Sequence, residues 1–543
     1  MRISLCQMNP TVGALKENRN KILAGIKKAK DAKADIVLFP EMALTGYPPA
    51  DFLSLAHFIK KVKEGLESIV AHTKGIAAII GVVRESPYST GKMLVNSACI
   101  CVDGEILGFQ DKTLLPTYDV FDELRYFEPA RERKVWLISG KKIAVTICED
   151  IWQNAGCMDF SYPVDPILDY KKEKIDYHLN LSASPFSLMK FKKRLDVLRK
   201  SALALKAPSY LCNQVGGNDS LIFEGRSLAV NAKGELIGMA KGFQEDLATF
   251  DSQENQIIEV KEPPKLEDLY QALVLGLRDY FTKSGFKKAV LGLSGGIDSA
   301  LVACIAKEAL GEENVLGVFM PSRYSSKASK EDSEALAKNL NISYQVISIE
   351  EPFQSFLKLL HPFFEGKPAD VTEENLQARI RGNILMALSN KFGLILLSTG
   401  NKSELALGYS TLYGDLCGGI AVLSDVSKRE VYELSFFINK HGPIIPIRTL
   451  TRPPSAELKE NQKDSDSLPD YEIIDNILEA YVEHHKSEED IAIMYGYPLE
   501  LVMDLTTRIH RNEYKRRQSP PGLRVSEKAF SVGREFPIVQ KWR

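Results

Sequence analysis

Two stretches of this chain gather residues that can make and break bonds. In the first half, three reactive side chains each sit beside a short apolar run. Glu41 follows Val37-Leu38-Phe39-Pro40, Lys112 lies in Gln110-Asp111-Lys112-Thr113-Leu114-Leu115-Pro116, and Cys148 follows Ala144-Val145-Thr146-Ile147. Strand ends are rigid platforms, so three such groups can converge on one point. A thiolate at Cys148 can attack an amide carbon, Glu41 can take its proton and later activate water, and Lys112 can offer positive charge to the developing oxyanion. Residue types alone leave a second reading open. A cysteine at a strand end is also a small buried hydrophobe, a glutamate can cap a helix, and a lysine can be a surface charge.

The second stretch is Leu291-Gly292-Leu293-Ser294-Gly295-Gly296-Ile297-Asp298-Ser299. It lacks the Gly-Lys-Ser/Thr ending of a Walker loop. Its glycines still allow backbone to approach phosphate oxygens, and the helix start that follows favours an anion. Ser294 and Ser299 can donate hydroxyls, and Asp298 can hold a divalent cation. A second strand end, Leu396-Leu397-Ser398-Thr399-Gly400-Asn401-Lys402-Ser403-Glu404, supplies Glu404 as a partner acid for magnesium. The same Asn401–Glu404 run also reads as a helix cap. Asp415 and Lys428 are candidate contacts that equally suit a surface.

The elements that must position these groups follow two αβ alternations. Strands are predicted at Ile3–Met8, Asp35–Phe39, Ile76–Val83, Met93–Val102, Ile143–Ile147, Tyr177–Leu181 and Pro208–Gln214, with helices at Lys16–Lys33, Val62–His72 and Lys190–Leu205. This mixture implies layered sheet with helices outside. Gln253–Asp268 is polar and carries Pro263-Pro264, which marks a boundary. From Leu269 a helix leads into strands at Ala289–Leu293, Val315–Met320, Tyr344–Ile349 and Leu394–Ser398, separated by helices at Ser299–Leu310, Asp332–Leu340 and Asn375–Phe392. That is the pattern of a doubly wound parallel sheet, whose ligands sit at the carboxyl edge. Leu458–Tyr471 reads as a mobile loop beside this second site.

Bulk properties set the limits. With 543 residues, 69 basic and 71 acidic side chains, the chain exceeds one core and carries no bulk attraction for nucleic acid or membrane. None of the eight cysteines forms a CxxC pair and none of the eight histidines a zinc motif, so a reducing, cytoplasmic setting without structural disulfides is expected. Cys99 and Cys101 face one side of a strand and suit burial. No stretch is apolar for long enough to span a bilayer.

Longer motifs add a resemblance. Phe39-Pro40-Glu41-Met42-Ala43-Leu44-Thr45-Gly46-Tyr47, Lys112-Thr113-Leu114-Leu115-Pro116 and Ile147-Cys148-Glu149-Asp150-Ile151-Trp152 resemble the nitrilase, or carbon–nitrogen hydrolase, family in its glutamine-hydrolysing branch. The resemblance implies a four-layer αββα sandwich over residues 1–255, a glutamate–lysine–cysteine site at Glu41, Lys112 and Cys148, and a second positioning glutamate at Glu123. It places Tyr118, Ser182 and Ser184 around the glutamine. After a linker at 256–268, residues 269–543 resemble the NAD synthetase family, whose ATP-pyrophosphatase motif is Ser-Gly-Gly-x-Asp-Ser. The match includes Glu374-Asn375-Leu376-Gln377-Ala378-Arg379-Ile380-Arg381-Gly382-Asn383, Pro454-Ser455-Ala456-Glu457-Leu458 and Asn512-Glu513-Tyr514-Lys515-Arg516-Arg517. It implies magnesium on Asp298 and Glu404 and ATP around Ser294, Gly295, Gly296, Asp298, Ser299, Arg323, Thr399 and Lys515. Deamido-NAD would face Asn375, Arg379, Asp415 and Lys428. Together the two resemblances imply glutamine-dependent amidation of nicotinic acid adenine dinucleotide, an internal passage for ammonia, and homo-oligomeric assembly. An amidotransferase using the same ATP chemistry on another acid is the alternative.

Overall fold

The computed structural model describes residues 1–156, 160–252, 256–364, 366–440, 442–460 and 462–542. The first three residues of the predicted boundary Gln253–Asp268, and Asn461 in the predicted loop Leu458–Tyr471, lie outside the described residues. The chain forms two compact units, Met1–Lys265 and Leu266–Arg543.

The first unit stacks two six-stranded sheets. One runs Asp246–Asp251, Arg2–Gln7, Ile36–Leu38, Ala77–Glu85, Leu94–Val102 and Glu105–Asp111 in spatial order; the other runs Leu236–Met239, Leu228–Val230, Ser209–Asn213, Tyr177–Ser182, Lys141–Ile147 and Val135–Ile138. Their inner faces share a core in which Ile36, Leu38, Ile79 and Ile100 meet Ile143, Val145, Leu179 and Leu181. The central strands are buried on both faces, which is why they read as apolar runs rather than alternations. Helices cover the outside. Ala56–Val70 buries Phe58, Ile59, Val62, Leu66 and Ile69, and Lys190–Leu205 buries Phe191, Leu195, Leu198, Ala202 and Leu205, both at helical spacing. This is an αββα arrangement. The sequence reading has no strand at Glu105–Asp111, which pairs antiparallel with Leu94–Val102.

The second unit holds a five-stranded, all-parallel sheet in the order Ser343–Val346, Val315–Phe319, Ala289–Gly292, Ile395–Ser398, Ile420–Ala421. The first strand in sequence, Ala289–Gly292, lies between the second and the fourth. The chain therefore winds in opposite directions from it and opens a crevice at its carboxyl end. The helix Ile297–Leu310 is buried nearly all round, as its apolar residues on every face require. A helix the sequence reading lacks, Glu350–Leu360, follows the edge strand. Among the described residues, no helix is long and apolar enough to cross a membrane. Cys6, Cys99, Cys101, Cys148, Cys212, Cys304 and Cys417 are free thiols. Cys99 and Cys101 are fully buried, with their sulfurs 3.5 Å apart.

Candidate active sites

Three strand ends of the first unit bring Glu41, Lys112 and Cys148 together. Lys112 Nζ donates to Glu41 Oε1 at 2.7 Å and to Glu123 Oε1 at 2.8 Å. Tyr47 donates to the same Glu123 oxygen at 2.9 Å. Glu41 is further held by Asn96 Nδ2 on Oε1 at 2.7 Å and by the Ala183 amide on Oε2 at 3.1 Å. The loop carrying Glu41 lies directly on the neighbouring strand at Gly81, where a Cβ would come within 2.2 Å of the Pro40 carbonyl. Only glycine fits that approach.

Cys148 opens a tight turn with φ at +43°, a conformation a side-chain-bearing residue adopts only when its surroundings enforce it. Asp150 supplies part of that enforcement. Its Oδ1 accepts the Thr113 and Leu114 amides at 3.0 and 2.8 Å, and its Oδ2 accepts the Ile147 amide at 3.0 Å. One carboxylate thus ties the lysine segment to the cysteine segment. Burial, then the nearby Glu41, push the Cys148 thiol up, with Lys112 working against them. Burial opposes the Lys112 charge, but Glu123 and Glu41 outweigh it and hold the ammonium well above its ordinary range. The resting site is therefore a thiol beside an ion-paired lysine.

Around it, Tyr118 and Tyr162 donate to Glu149 Oε1 at 2.9 and 3.2 Å. Ser182 donates to Asn180 Oδ1 at 2.6 Å, and the Ser184 amide to Asn213 Oδ1 at 2.9 Å, so the two serines flank the amide that holds Glu41. Asn96, Glu149 and Asp150 are absent from the residues singled out in the sequence. The last two adjoin Cys148 in Cys148-Glu149-Asp150, where acids right after a nucleophile were the available signal. Asn96 gives no local signal.

In the second unit, a cavity of about 450 Å³ opens at the crevice beyond Gly292 and Ser398. Ser294, Gly295, Gly296 and Asp298 line it on one side, Thr399 and Glu404 on another, with Asn375, Asp415, Lys428 and Lys515 also on its wall. Gly295 has φ at +81°, and a Cβ there would meet the Ser329 carbonyl at 2.5 Å. Ser299 lies behind the turn and braces it, donating to the Gly296 carbonyl at 3.0 Å. Thr411 donates to Asn375 Oδ1 at 2.7 Å.

The run Asn401–Glu404 does two jobs at once. Asn401 caps its helix by accepting the Glu404 amide at 3.0 Å, and its Nδ2 donates to Asp298 Oδ1 at 2.8 Å. Lys402 turns away from the cavity and anchors the end of the chain through Asp425, Glu483, Ser526 and the Lys528 carbonyl. Ser403 accepts the Lys428 amide at 2.9 Å. Lys428 Nζ then lies 2.6 Å from Asp298 Oδ2 and 3.2 Å from Glu404 Oε1. Burial raises the Glu404 carboxyl, with Lys428 working against it.

Three of the residues picked from the sequence do not line the cavity: Ser299, which turns back onto the Gly296 carbonyl, Arg323 and Arg379. Arg323 is forked onto Glu350, on the helix the sequence reading lacks, and Arg379 is exposed and donates to the Leu412 carbonyl at 3.1 Å. Arg381 lines it instead, donating to the Met320 carbonyl at 3.0 Å. Lys515 Nζ donates to the Gly408 and Ser410 carbonyls at 2.7 and 2.8 Å, so it shapes the cavity wall. The donor set suits a hard divalent cation: two carboxylates face the cavity with a cationic group already between them. Among the described residues no cluster of three or more His, Cys, Asp or Glu could hold a metal, so such an ion would draw further oxygens from phosphate and water.

Comparison with known proteins agrees with this division. The carbon-nitrogen hydrolase family model matches residues 2–262, and the NAD synthase family model matches residues 269–519. A glutamine-dependent NAD(+) synthetase from Synechocystis sp. is 47% identical, covering 99% of this chain and 98% of its own. One from Thermotoga maritima is 42% identical, covering 100% and 99%. A solved glutamine-dependent NAD+ synthetase from Acinetobacter baumannii, in complex with adenosine diphosphate, is 39% identical with a TM-score of 0.78, covering 100% of this chain and 99% of that one.

Proposed function

From the premise that this chain belongs to the glutamine-dependent NAD(+) synthetase family, and so is an ATP-dependent ligase that makes NAD, we propose how its residues divide the reaction. Glutamine binds in the first unit with its side-chain amide at Cys148. The thiol proton passes to Glu41 as sulfur attacks the amide carbon. The oxyanion that forms meets the Lys112 ammonium, whose charge Glu41 and Glu123 maintain. Collapse returns the proton from Glu41 to nitrogen and expels ammonia. Water activated by Glu41 then cleaves the thioester to glutamate. Glu149, held by two phenols, offers an anionic contact for the ammonium end of the amino acid, and Tyr118, Ser182 and Ser184 complete its surroundings.

In the second unit, the carboxylate of nicotinic acid adenine dinucleotide attacks the α-phosphorus of ATP, and pyrophosphate leaves. The turn Ser294–Gly296 and the amino end of the Ile297–Leu310 helix receive the phosphates. Asp298 and Glu404 would hold magnesium, which supplies positive charge to the phosphate oxygens. Asn375, Asp415 and Lys428 face the dinucleotide. Ammonia from the first unit attacks the acyl carbon and AMP departs. Ammonia must reach this carbon unprotonated, since ammonium has no lone pair to give. Cytoplasmic location and homo-oligomeric assembly belong to the same reading.

The observation that carries the proposal is the pairing of a buried Glu41–Lys112–Glu123 cluster beside a strained cysteine with a phosphate-type turn and two acids at a sheet switch point. The experiment uses glutamine labelled with ¹⁵N in the side-chain amide, with ATP and the deamidated dinucleotide. Label is expected in the nicotinamide group, with one AMP formed per NAD. Unlabelled product, or product without AMP, overturns it.

A further inference from the structure

Glu41 is held unevenly. A carboxylate oxygen offers about two acceptor positions. At Oε1 both are taken, by Lys112 Nζ at 2.7 Å and Asn96 Nδ2 at 2.7 Å. At Oε2 one is taken, by the Ala183 amide at 3.1 Å. Asn96 itself lies on the strand Leu94–Val102 and is 1% exposed. Its main-chain carbonyl accepts the Lys112 amide at 2.8 Å, so one residue orients both the acid and the lysine segment. Its side-chain Oδ1 is buried with no hydrogen-bond partner. The amide therefore stands as it does because of the carboxylate. Turning it over would set oxygen against oxygen at Glu41.

We propose that Asn96 is a positioning residue for the glutaminase step: by filling Glu41 Oε1 alongside Lys112, it leaves Oε2 as the oxygen that exchanges the proton with Cys148. The inference rests on Glu41 acting as the base. No bond beyond those already described is made or broken. The proton leaves Cys148 Sγ, rides on Oε2, and returns to the departing nitrogen. Asn96 acts on both directions of that transfer. Its N–H donates to the carboxylate and holds the carboxylate plane against rotation that would exchange Oε1 for Oε2. The other ionisable groups around Glu41 are Glu123, Tyr47 and Cys148, besides Lys112.

The test is the pH profile of glutamate release by the full-length enzyme carrying Asn96→Ala, Asn96→Asp or Glu41→Gln, with ammonia-driven NAD formation as the control for an intact chain. In Asn96→Ala, kcat is expected to fall about tenfold to a hundredfold while KM for glutamine stays within about threefold. With this donor lost, the acid limb of kcat/KM should move up by about one pH unit. Asn96→Asp keeps the shape but sets a second carboxyl against Glu41, and its acid limb should move further in the same direction. Glu41→Gln should abolish glutamate release. If both Asn96 variants keep the wild-type acid limb, whatever their kcat, the residue serves packing and the inference fails. If Glu41→Gln still releases glutamate, the base assignment itself fails.

Discussion

Each unit buries a lysine between two carboxylates, Lys112 between Glu41 and Glu123, and Lys428 between Asp298 and Glu404. The resemblance ends at the walls. In the first unit the side chains of Lys112, Glu41 and Glu123 are 1%, 0% and 5% exposed. In the second, Lys428 is 2% exposed, but Asp298 and Glu404 keep 19% and 18%. The first cluster is a closed set of charges compensated by the protein alone. The second is open on the acid side, so its carboxylates can take a cation that arrives from the cavity. Burying an ion pair costs desolvation that roughly cancels the attraction, so neither cluster is explained by stability. On the proposed function, the same three charges would serve as fixed catalytic charge where they are sealed and as an exchangeable site where they are not.

The largest effect should come from removing the nucleophile. Cys148→Ala should lower glutamine-driven NAD formation at least about a thousandfold and leave ammonia-driven formation unchanged. Loss of both would mean the two clusters do not serve separable steps, and the comparison would collapse. Rates with each nitrogen source on one preparation decide it.

Exchanging each lysine for methionine sharpens the contrast. Lys112→Met strands two sealed carboxylates and should cost the first unit about 3–5 kcal/mol, a loss that magnesium does not restore. Lys428→Met strands two acids that face the cavity. Its loss should be smaller and recoverable, by about 2.7 kcal/mol when magnesium reaches a hundred times its dissociation constant. Thermal unfolding of the full chain with and without magnesium reports both. Equal recovery, or none, in the two variants would show that accessibility does not separate the clusters.

The sequence made some of this legible and hid the rest for physical reasons. Glu41, Lys112 and Cys148 each stand beside an apolar strand, and the two acids of the second unit follow strands of a parallel sheet, so position along the chain predicts position in the fold. Arg379 and Arg381 show where that logic stops. They stand two apart on one helix, roughly 200° around its axis, and nothing local says which faces the cavity; the structure turns Arg381 inward. Arg323 was unreadable because its partner Glu350 belongs to a helix that the strand-centred pattern skipped. Asn96 is a polar residue in an apolar strand, and its role depends on pairing that brings Ser97 opposite Asp111 and so sets Asn96 beside Lys112. Register of that kind belongs to two strands together and is written in neither.

The smallest expected effect separates the units by pH. His178 is fully buried in the first unit, with Nε2 hydrogen-bonded to the Thr146 hydroxyl at 2.8 Å and Nδ1 to the Ser209 hydroxyl at 3.0 Å. Burial pulls the imidazole down to about 3. The unfolded chain binds this proton below about pH 6.5 and the folded chain does not, so the unfolded state holds more protons throughout the interval between those values. Stability is full above the upper value and is lost as pH falls. By pH 5 the loss should reach about 2 kcal/mol. His178→Gln can still accept and donate but takes up no proton, so its stability should change less between pH 6.5 and 5, even if it starts lower at neutral pH. Native-state hydrogen exchange in the strand Tyr177–Ser182, corrected for intrinsic rates, measures the difference against Ile395–Ser398 in the second unit. Parallel slopes in the wild type and the variant would show that the buried imidazole does not set the acid sensitivity of the glutaminase unit.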